Sequence, residues 1–350
     1  MKKVFVGLSG GVDSAVSAAL LKEQGFDVTG VYMKNWSKAI GTIECPWEED
    51  YKDAKRVAVH LDIPFLMLDF EDQYFEKVVQ YMIDAFKSGI TPNPDVMCNQ
   101  EIKFKLFLEA CLEKGANMIA TGHYANTSDG RLFRAKDELK DQTYFLYRVT
   151  EEALKKTIFP LGDLQKTEVR KIAERFKLPN AKRKESMGIC FVGKVGIKDF
   201  LKMYVDDTVP GAIIDQNGLV VGEHEGALFY TIGQRQGLGV GGGLPYYVTG
   251  KNMVKNEVYV TSDIADPKLW SDVLELTSVH VITPNKDLTR IDGQLYLRSR
   301  HRAPLIAIKS IESTKKGLRI TLNEPIRAVT PGQSAVIYSD REVFGGGIVV

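Results

Sequence analysis

Along the N-terminal half of the chain, short apolar runs alternate with stripes of apolar residues at helical spacing. Val4 to Leu8, Val28 to Met33, Phe65 to Leu68 and Met118 to Thr121 each stop at polar or glycine residues, and such runs predict strands buried on both faces of a parallel sheet. Between them, Val12, Ala15, Val16, Ala19 and Leu20 form a helical stripe that ends at Gly25, and Tyr51, Ala54, Val57, Ala58 and Leu61 form a second. The alternation predicts a doubly wound α/β domain. Ligands in such sheets sit beyond the carboxyl ends of the strands, where the loops starting at Ser9, Met33 and Gly122 lie.

After about Tyr204 the pattern changes. Ala212 to Asp215 and Leu219 to Glu223 flank Asn217-Gly218, a hairpin signal because both residues tolerate positive φ. From Ser271 onward, Leu295 to Arg298, Leu305 to Ile311, Leu318 to Leu322 and Ser334 to Tyr338 have the spacing of a small β-barrel. The expected fold is α/β: a doubly wound parallel sheet over 1–205, a small β-rich central domain over 206–270 and a C-terminal β-barrel over 271–350.

A length of 350 residues agrees with two or three domains, and 44% apolar with 26% charged residues excludes a disordered chain. No run is long enough for a membrane span. Lys2, Lys3 and the apolar run after them mimic a signal peptide, but Gly10, Gly11 and Asp13 interrupt it too early. Four cysteines are too sparse for a secreted disulfide scaffold, so the expected compartment is the reducing cytoplasm. The net charge of +1 does not itself call for nucleic acid; residues 271–350 carry 11 Lys/Arg against 8 Asp/Glu, so RNA contact must rest on local clusters.

Directly after the first strand stands Ser9-Gly10-Gly11-Val12-Asp13-Ser14, and a helix begins at once. Two glycines admit a phosphate close to the backbone, the helix N-terminus attracts its charge, and Ser9 and Ser14 add hydroxyl donors. No Gly-Lys-Ser/Thr follows, so this is not a Walker A loop. Asp13 beside the phosphates suits a role in holding magnesium. These residues resemble the PP-loop of the ATP pyrophosphatase superfamily, a Rossmann-like fold whose members cleave ATP between the α and β phosphates to adenylate a carbonyl oxygen. The resemblance assigns Gly7, Leu8, Ser9, Gly10, Gly11, Val12, Asp13 and Ser14, with Met33 and Gly122 at the adenosine end, to ATP.

Two cysteines stand in chemically suggestive settings. Thr91-Pro92-Asn93-Pro94-Asp95-Val96-Met97-Cys98 is stiffened by two prolines and precedes a helix with Ile102, Phe104, Leu108, Cys111 and Leu112 on an apolar face. Cys98 at that helix start would meet the positive dipole end, which favours thiolate, and Asp95 is placed to relay a proton or orient a base. Cys190 lies between Gly188 and Gly193, shortly after Lys182, Arg183 and Lys184, whose cations lower a thiol pKa. A low-pKa thiol carries sulfane sulfur as a persulfide, and a second thiol resolves it by exchange, leaving a transient disulfide. Cys111 has core spacing and reads as packing; Cys45, before Pro46-Trp47, reads as non-catalytic.

With these motifs in one order, the chain resembles the bacterial-type tRNA-specific 2-thiouridylases over nearly its whole length. The matching stretches include Met33 to Trp36, Thr91 to Phe104, Thr121 to Ala125, Lys140 to Leu146, Gly188 to Phe191, Thr231 to Arg235 and Pro331 to Val336. The resemblance implies Cys98 as nucleophile, Cys190 as persulfide carrier, a transient Cys98–Cys190 disulfide, and Asn93, Pro94 and Asp95 against the target base. It places His123, Lys140, Asp141, Gln142, Arg298, Ser299 and Gln333 at the tRNA. ATP, Mg2+, a lysine, glutamate or glutamine tRNA and a sulfur donor protein, either a cysteine desulfurase or a sulfur relay protein, are the implied cofactors and partners. Arg298-Ser299-Arg300 departs from the family's usual Arg-Tyr-Arg, and Met187 from its usual threonine.

Other readings share parts of this pattern. Lys182 to Lys184 and Arg298, Arg300, His301 and Arg302 are candidates for tracking phosphates, although charge runs are commonly solvated faces. The glycine cluster Gly237 to Gly243 precedes a strand and reads as a loop; the five histidines show no zinc spacing, so no metal site is expected among them. A PP-loop amidating ligase would use ammonia and need no thiols. An iron-sulfur cluster on Asp95, Cys98 and Cys190, or a non-catalytic ATP-dependent RNA-binding module, are the remaining alternatives.

Overall fold

The computed structural model describes all residues except 40–44, 46, 185–195, 206, 207, 242, 244 and 285. The N-terminal sheet contains β1 (Lys3–Gly7), β2 (Asp27–Lys34), β3 (Phe65–Asp69), β4 (Met118–Ala120) and β7 (Thr157–Ile158) in the order β3-β2-β1-β4-β7. All four pairings are parallel. Val4 and Val6 on one face and Phe5 on the other are all buried, which is why the strand reads as an unbroken apolar run. The order reverses direction between β1 and β4, so their carboxyl ends open the crevice where a doubly wound sheet holds its ligand.

Helix α1 (Val12–Glu23) follows β1 and buries Val12, Ala15, Val16, Ala18, Ala19 and Leu21; α2 (Trp47–His60) follows β2 and buries Ala54, Val57 and Ala58. After β3 come α3 (Glu71–Tyr74), a π-helical stretch Phe75–Val79 and α4 (Gln80–Lys87). Next, α5 (Pro94–Met97) runs through a second π-helical stretch, Cys98–Leu106, into α6 (Phe107–Glu113). The wider π turn alters the expected apolar face: Phe107 is buried while Leu112 is exposed. Buried Cys98, Ile102, Phe107 and Cys111 recur at intervals of four and five, while Phe104, Leu108 and Cys111 keep the expected spacing of four and three.

Helices α7 (Glu151–Lys155), α8 (Lys166–Arg175) and α9 (Ile197–Leu201) complete the described helices of this part. The central sheet has the order β10-β11-β8-β9, built from β8 (Gly211–Ile214), β9 (Val220–His224), β10 (Tyr247–Asn252) and β11 (Glu257–Thr261). The β8–β9 turn takes positive φ at Gly218 alone, because the Asp215 carboxylate accepts the amides of Asn217 and Leu219 and shapes the rest.

The C-terminal strands are β12 (Trp270–Val281), β13 (Tyr296–Arg298), β14 (Ile306–Thr314), β15 (Gly317–Arg327), β16 (Ser334–Tyr338) and β17 (Glu342–Val349). They close as β12-β15-β14-β13-β16-β17, with β17 pairing back to β12. A hairpin from the N-terminal part, β5 (Asn126–Ser128) and β6 (Arg131–Phe133), joins β17 through Val343↔Leu132 and Glu342↔Phe133. The expected boundary at residue 205 therefore does not separate all contacts: residues 126–133 extend the barrel sheet. No described helix is long and apolar enough to cross a membrane.

Candidate active site

The crevice at β1 holds a folded-over turn. Leu8 is buried, Gly10 turns the chain at φ 79°, and Gly11 leads into α1. Ser14 Oγ accepts from the Ser9 amide at 3.1 Å and donates to Gly11 O at 3.1 Å; Ser9 Oγ lies 3.2 Å from it and accepts from Gly11 N–H at 3.4 Å. Hydroxyls and helix-terminal amides thus converge, which is the chemistry of a phosphate cradle. A Cβ on Gly122 would lie 2.7 Å from Ser14 N, so the loop after β4 forms the cradle's other wall only as glycine. Met33 packs its Cε at 3.1 Å from the Cβ position of Gly7, at the root of the same turn.

Asp13 is tied to side chains that its sequence context gives no sign of. Lys166 Nζ donates to its oxygens at 2.6 and 2.8 Å, and Tyr124 OH donates at 3.0 Å. Tyr124 also exchanges two bonds with Gln142, and the Lys166 amide donates to Asp137 Oδ2 at 2.9 Å. Lys166 opens α8, 153 positions from Asp13, so only the fold brings them together. Among the described residues, no group of three His, Cys, Asp or Glu side chains is placed to hold a metal ion. A magnesium ion held chiefly by phosphate oxygens needs a protein carboxylate; Asp13 is the one at the cradle, and Lys166, which holds both its oxygens, would have to yield one of them.

The loop before α5 begins at Asn93, whose side chain accepts from Val96 N at 3.3 Å and caps the helix. Cys98 is 4% exposed and one turn inside the helix, with its amide bonded to Asp95 O and Pro94 O. The expected placement at the helix start is thus corrected: the free N-terminal amides belong to residues before it. Burial raises the Asp95 pKa, with Lys103 opposing, and burial with the same Lys103 lowers that of His123 well below the ordinary histidine value. The His123 ring packs on Phe104 at 5.7 Å, and its Nδ1 lies 2.8 Å from Thr121 Oγ1. Phe104 belongs to the Cys98 helix, and Gly122 lies against Ser14; residues 122 and 123 therefore link the cradle to the helix that carries Cys98. Cys190 lies outside the described residues.

The other thiols are set apart. Cys111 is fully buried, which pushes its pKa up to about 12. Cys45 is half-buried with Sγ 3.5 Å from Trp36 O, and burial raises its pKa too.

Residues 2–194 match the family described as the tRNA methyl transferase HUP domain, 198–262 that of the tRNA methyl transferase PRC-barrel domain, and 271–349 the aminomethyltransferase beta-barrel domain. Over 99% of its length the chain is 46% identical to the tRNA-specific 2-thiouridylase of Bacillus licheniformis, covering 94% of that protein. The 2-thiouridylases of Bacillus subtilis and Bacillus pumilus are each 44% identical over the same shares. The chain belongs to the tRNA-specific 2-thiouridylase family.

The residues that the 2-thiouridylase resemblance assigns to tRNA fall into two groups. Asn93, Pro94, Asp95 and His123 gather around the Cys98 helix. Gln333 reaches the same loop from the barrel, its amide donating to Thr91 O and Pro92 O at 3.0 Å each. Lys140 is half-buried, and Gln142 is held against Tyr124. Asp141 and Arg298 are different: 1% and 6% exposed, they pair at 2.8 Å, and Asp141 also accepts from Thr143 Oγ1. Together they form a buried bridge between the N-terminal part and the barrel. Ser299 offers its carbonyl to Tyr144 OH at 3.3 Å in the same seam. Arg183, expected in a phosphate-tracking run, instead binds Asp50, Asp53 and Gly10 O.

Proposed function

We propose that this chain is an ATP-dependent tRNA uridine 2-sulfurtransferase acting on the wobble base. One observation supports the reading: Gly122 lines the phosphate cradle while its neighbour His123 packs on Phe104 of the helix that carries Cys98. In the reaction, uracil oxygen 2 attacks the α-phosphorus of ATP and pyrophosphate leaves. Sulfur then adds at carbon 2, and AMP departs with the former oxygen 2.

The sulfur arrives as the terminal sulfur of a persulfide on Cys190. It either attacks carbon 2 directly, after which the Cys98 thiolate cleaves the resulting disulfide, or Cys98 first releases it as hydrosulfide. Both routes end with a Cys98–Cys190 disulfide that an external thiol reductant restores. Asp95, its carboxyl made a weaker acid by burial, exchanges a proton with the base, and Asn93, Pro94 and His123 hold that base out of its stack. Ser9, Ser14 and the helix amides hold the phosphates. Magnesium on Asp13 neutralises phosphate charge when bound. The tRNAs for lysine, glutamate and glutamine are the proposed substrates, a cysteine desulfurase or sulfur relay protein the donor, and the cytoplasm the compartment.

The test is incubation of the purified chain with tRNA, ATP, magnesium and a persulfide donor, followed by nucleoside mass spectrometry. The expected product is uridine with one oxygen exchanged for sulfur, lost in Cys98→Ser and Cys190→Ser. A product carrying nitrogen, formed equally by both variants, would mark an amidating ligase. A methylated product that needs S-adenosylmethionine would mark a methyltransferase and overturn the reading.

A further inference from the structure

Two side chains outside the cradle hold the carbonyl of its central glycine. Asn180 Nδ2 donates to Gly10 O at 2.7 Å, and Arg183 Nη1 donates to the same oxygen at 3.3 Å. Arg183 is fixed in turn by Asp53 at 2.7 Å and by Asp50, and Arg170 Nη1 holds the carbonyls of Ala181 and Arg183 at 2.9 Å each. Asn180 is 6% exposed, and its Oδ1 has no hydrogen-bond partner among the described residues. Its orientation is therefore set by the bond to Gly10, not by a second partner.

We infer that Asn180 and Arg183 are positioning residues for nucleotide binding, acting through the Gly10–Gly11 peptide. A trans peptide is planar, so its C=O and N–H point in opposite directions. Holding Gly10 O against Asn180 and Arg183 turns the Gly11 N–H toward Ser9 Oγ and the interior of the cradle, where a phosphate oxygen accepts it. Without the two donors this glycine peptide is free to rotate, because Gly10, at φ 79°, has a wide conformational range. The clamp also demands that residue: a Cβ on Gly10 would lie 2.6 Å from Asp50 O and 2.9 Å from Arg183 Nη1. With two carboxylates on its guanidinium, Arg183 presents little net charge to a phosphate. Its influence runs through the Gly10 carbonyl.

The inference rests on the cradle binding ATP as proposed above. Isothermal titration of wild type, Asn180→Asp and Arg183→Gln with ATP and, separately, with tRNA tests it, with thermal melting as the folding control. Asn180→Asp sets an acceptor against Gly10 O at constant volume; Arg183→Gln alters a half-buried site and keeps the chain foldable. Each variant should weaken ATP by about tenfold while tRNA affinity stays unchanged, and Arg183→Lys should recover part of the loss. Steady-state kinetics should show a raised KM for ATP and an unchanged KM for tRNA. Variants that bind ATP like wild type, or that lose tRNA rather than ATP, would overturn the inference alone. A wild type without affinity for ATP would overturn the functional reading and this inference with it.

Discussion

Burial holds the Asp95 carboxyl above its ordinary range, and that has a measurable cost. A carboxyl with a higher pKa in the folded than in the unfolded chain stabilises the fold fully below the unfolded value and loses that contribution as pH rises through the folded value. Above the folded value the ionised group is therefore unfavourable where it stands. Asp95→Asn should melt at a higher temperature than wild type at pH above the folded value of Asp95, with the gap closing as pH falls below about 3.9, where Asp95 is neutral in both states. The same substitution should lower thiolation by about 10²–10⁴-fold, as loss of a positioned proton donor does. Cys111 is shifted in the same direction by the same cause, with a different consequence. With its thiol pushed up to about 12, it should resist iodoacetamide near pH ~8 in the folded chain and react once urea unfolds it. Peptide mapping after alkylation reads this directly, and Cys111→Ala should keep full thiolation. Its packing role was legible from spacing to Leu108 and Phe104 alone. The roles of Tyr124 and Lys166 were not, because nothing local to either residue points to Asp13.

At the scale of elements, strands were easier to read than helix register. The four expected parallel strands lie within a residue of their apolar runs; β1 is buried on both faces, whereas the edge strand β3 leaves Met67 exposed, and the two-residue β7 has no such run. The helix after Cys98 differs because a π-helical turn is wider by about one residue and rotates every later side chain around the axis. Spacing of the α type put Leu112 inside; the structure puts Phe107 there and Leu112 at the surface. Urea unfolding should separate the two registers. Phe107→Ala should cost about 3–5 kcal/mol through the cavity it leaves, and Leu112→Ala should stay within about 0.5 kcal/mol of wild type. Equal costs at both positions would argue for an ordinary α-helix. The π stretch also has a consequence for the site, since it carries Cys98 at one end and Phe104 against His123 within it.

The whole molecule is joined at places that no local pattern announces. Thr91 bonds Thr231 in the central domain at 3.1 Å and accepts Gln333 from the barrel, so all three parts meet beside the loop that carries Asn93 to Asp95. The β5–β6 hairpin enters the barrel sheet from the N-terminal part, with partners more than two hundred positions away, as the Arg131–Glu342 contact shows (|i−j| 211). Sequence periodicity reports an element's own faces; it carries no record of which distant strand pairs with it. The Asp141–Arg298 bridge belongs to this scale. If Arg298 holds the barrel in place and does not touch RNA, Arg298→Met should lower unfolding stability by about 1.5–3 kcal/mol, because Asp141 stays buried with Arg134, 3.9 Å away, as its remaining cation. The Arg298→Met, Asp141→Leu double variant should then recover part of that loss. Binding of tRNA by the folded Arg298→Met chain should keep the wild-type slope of log affinity against log salt. A direct phosphate contact would instead flatten that slope by about one unit, the change expected for Lys140→Met if its ammonium meets the backbone. Fluorescence titrations over a range of salt concentrations distinguish the two, because a domain bridge acts on the population of competent chains and a phosphate contact acts on the number of counterions released.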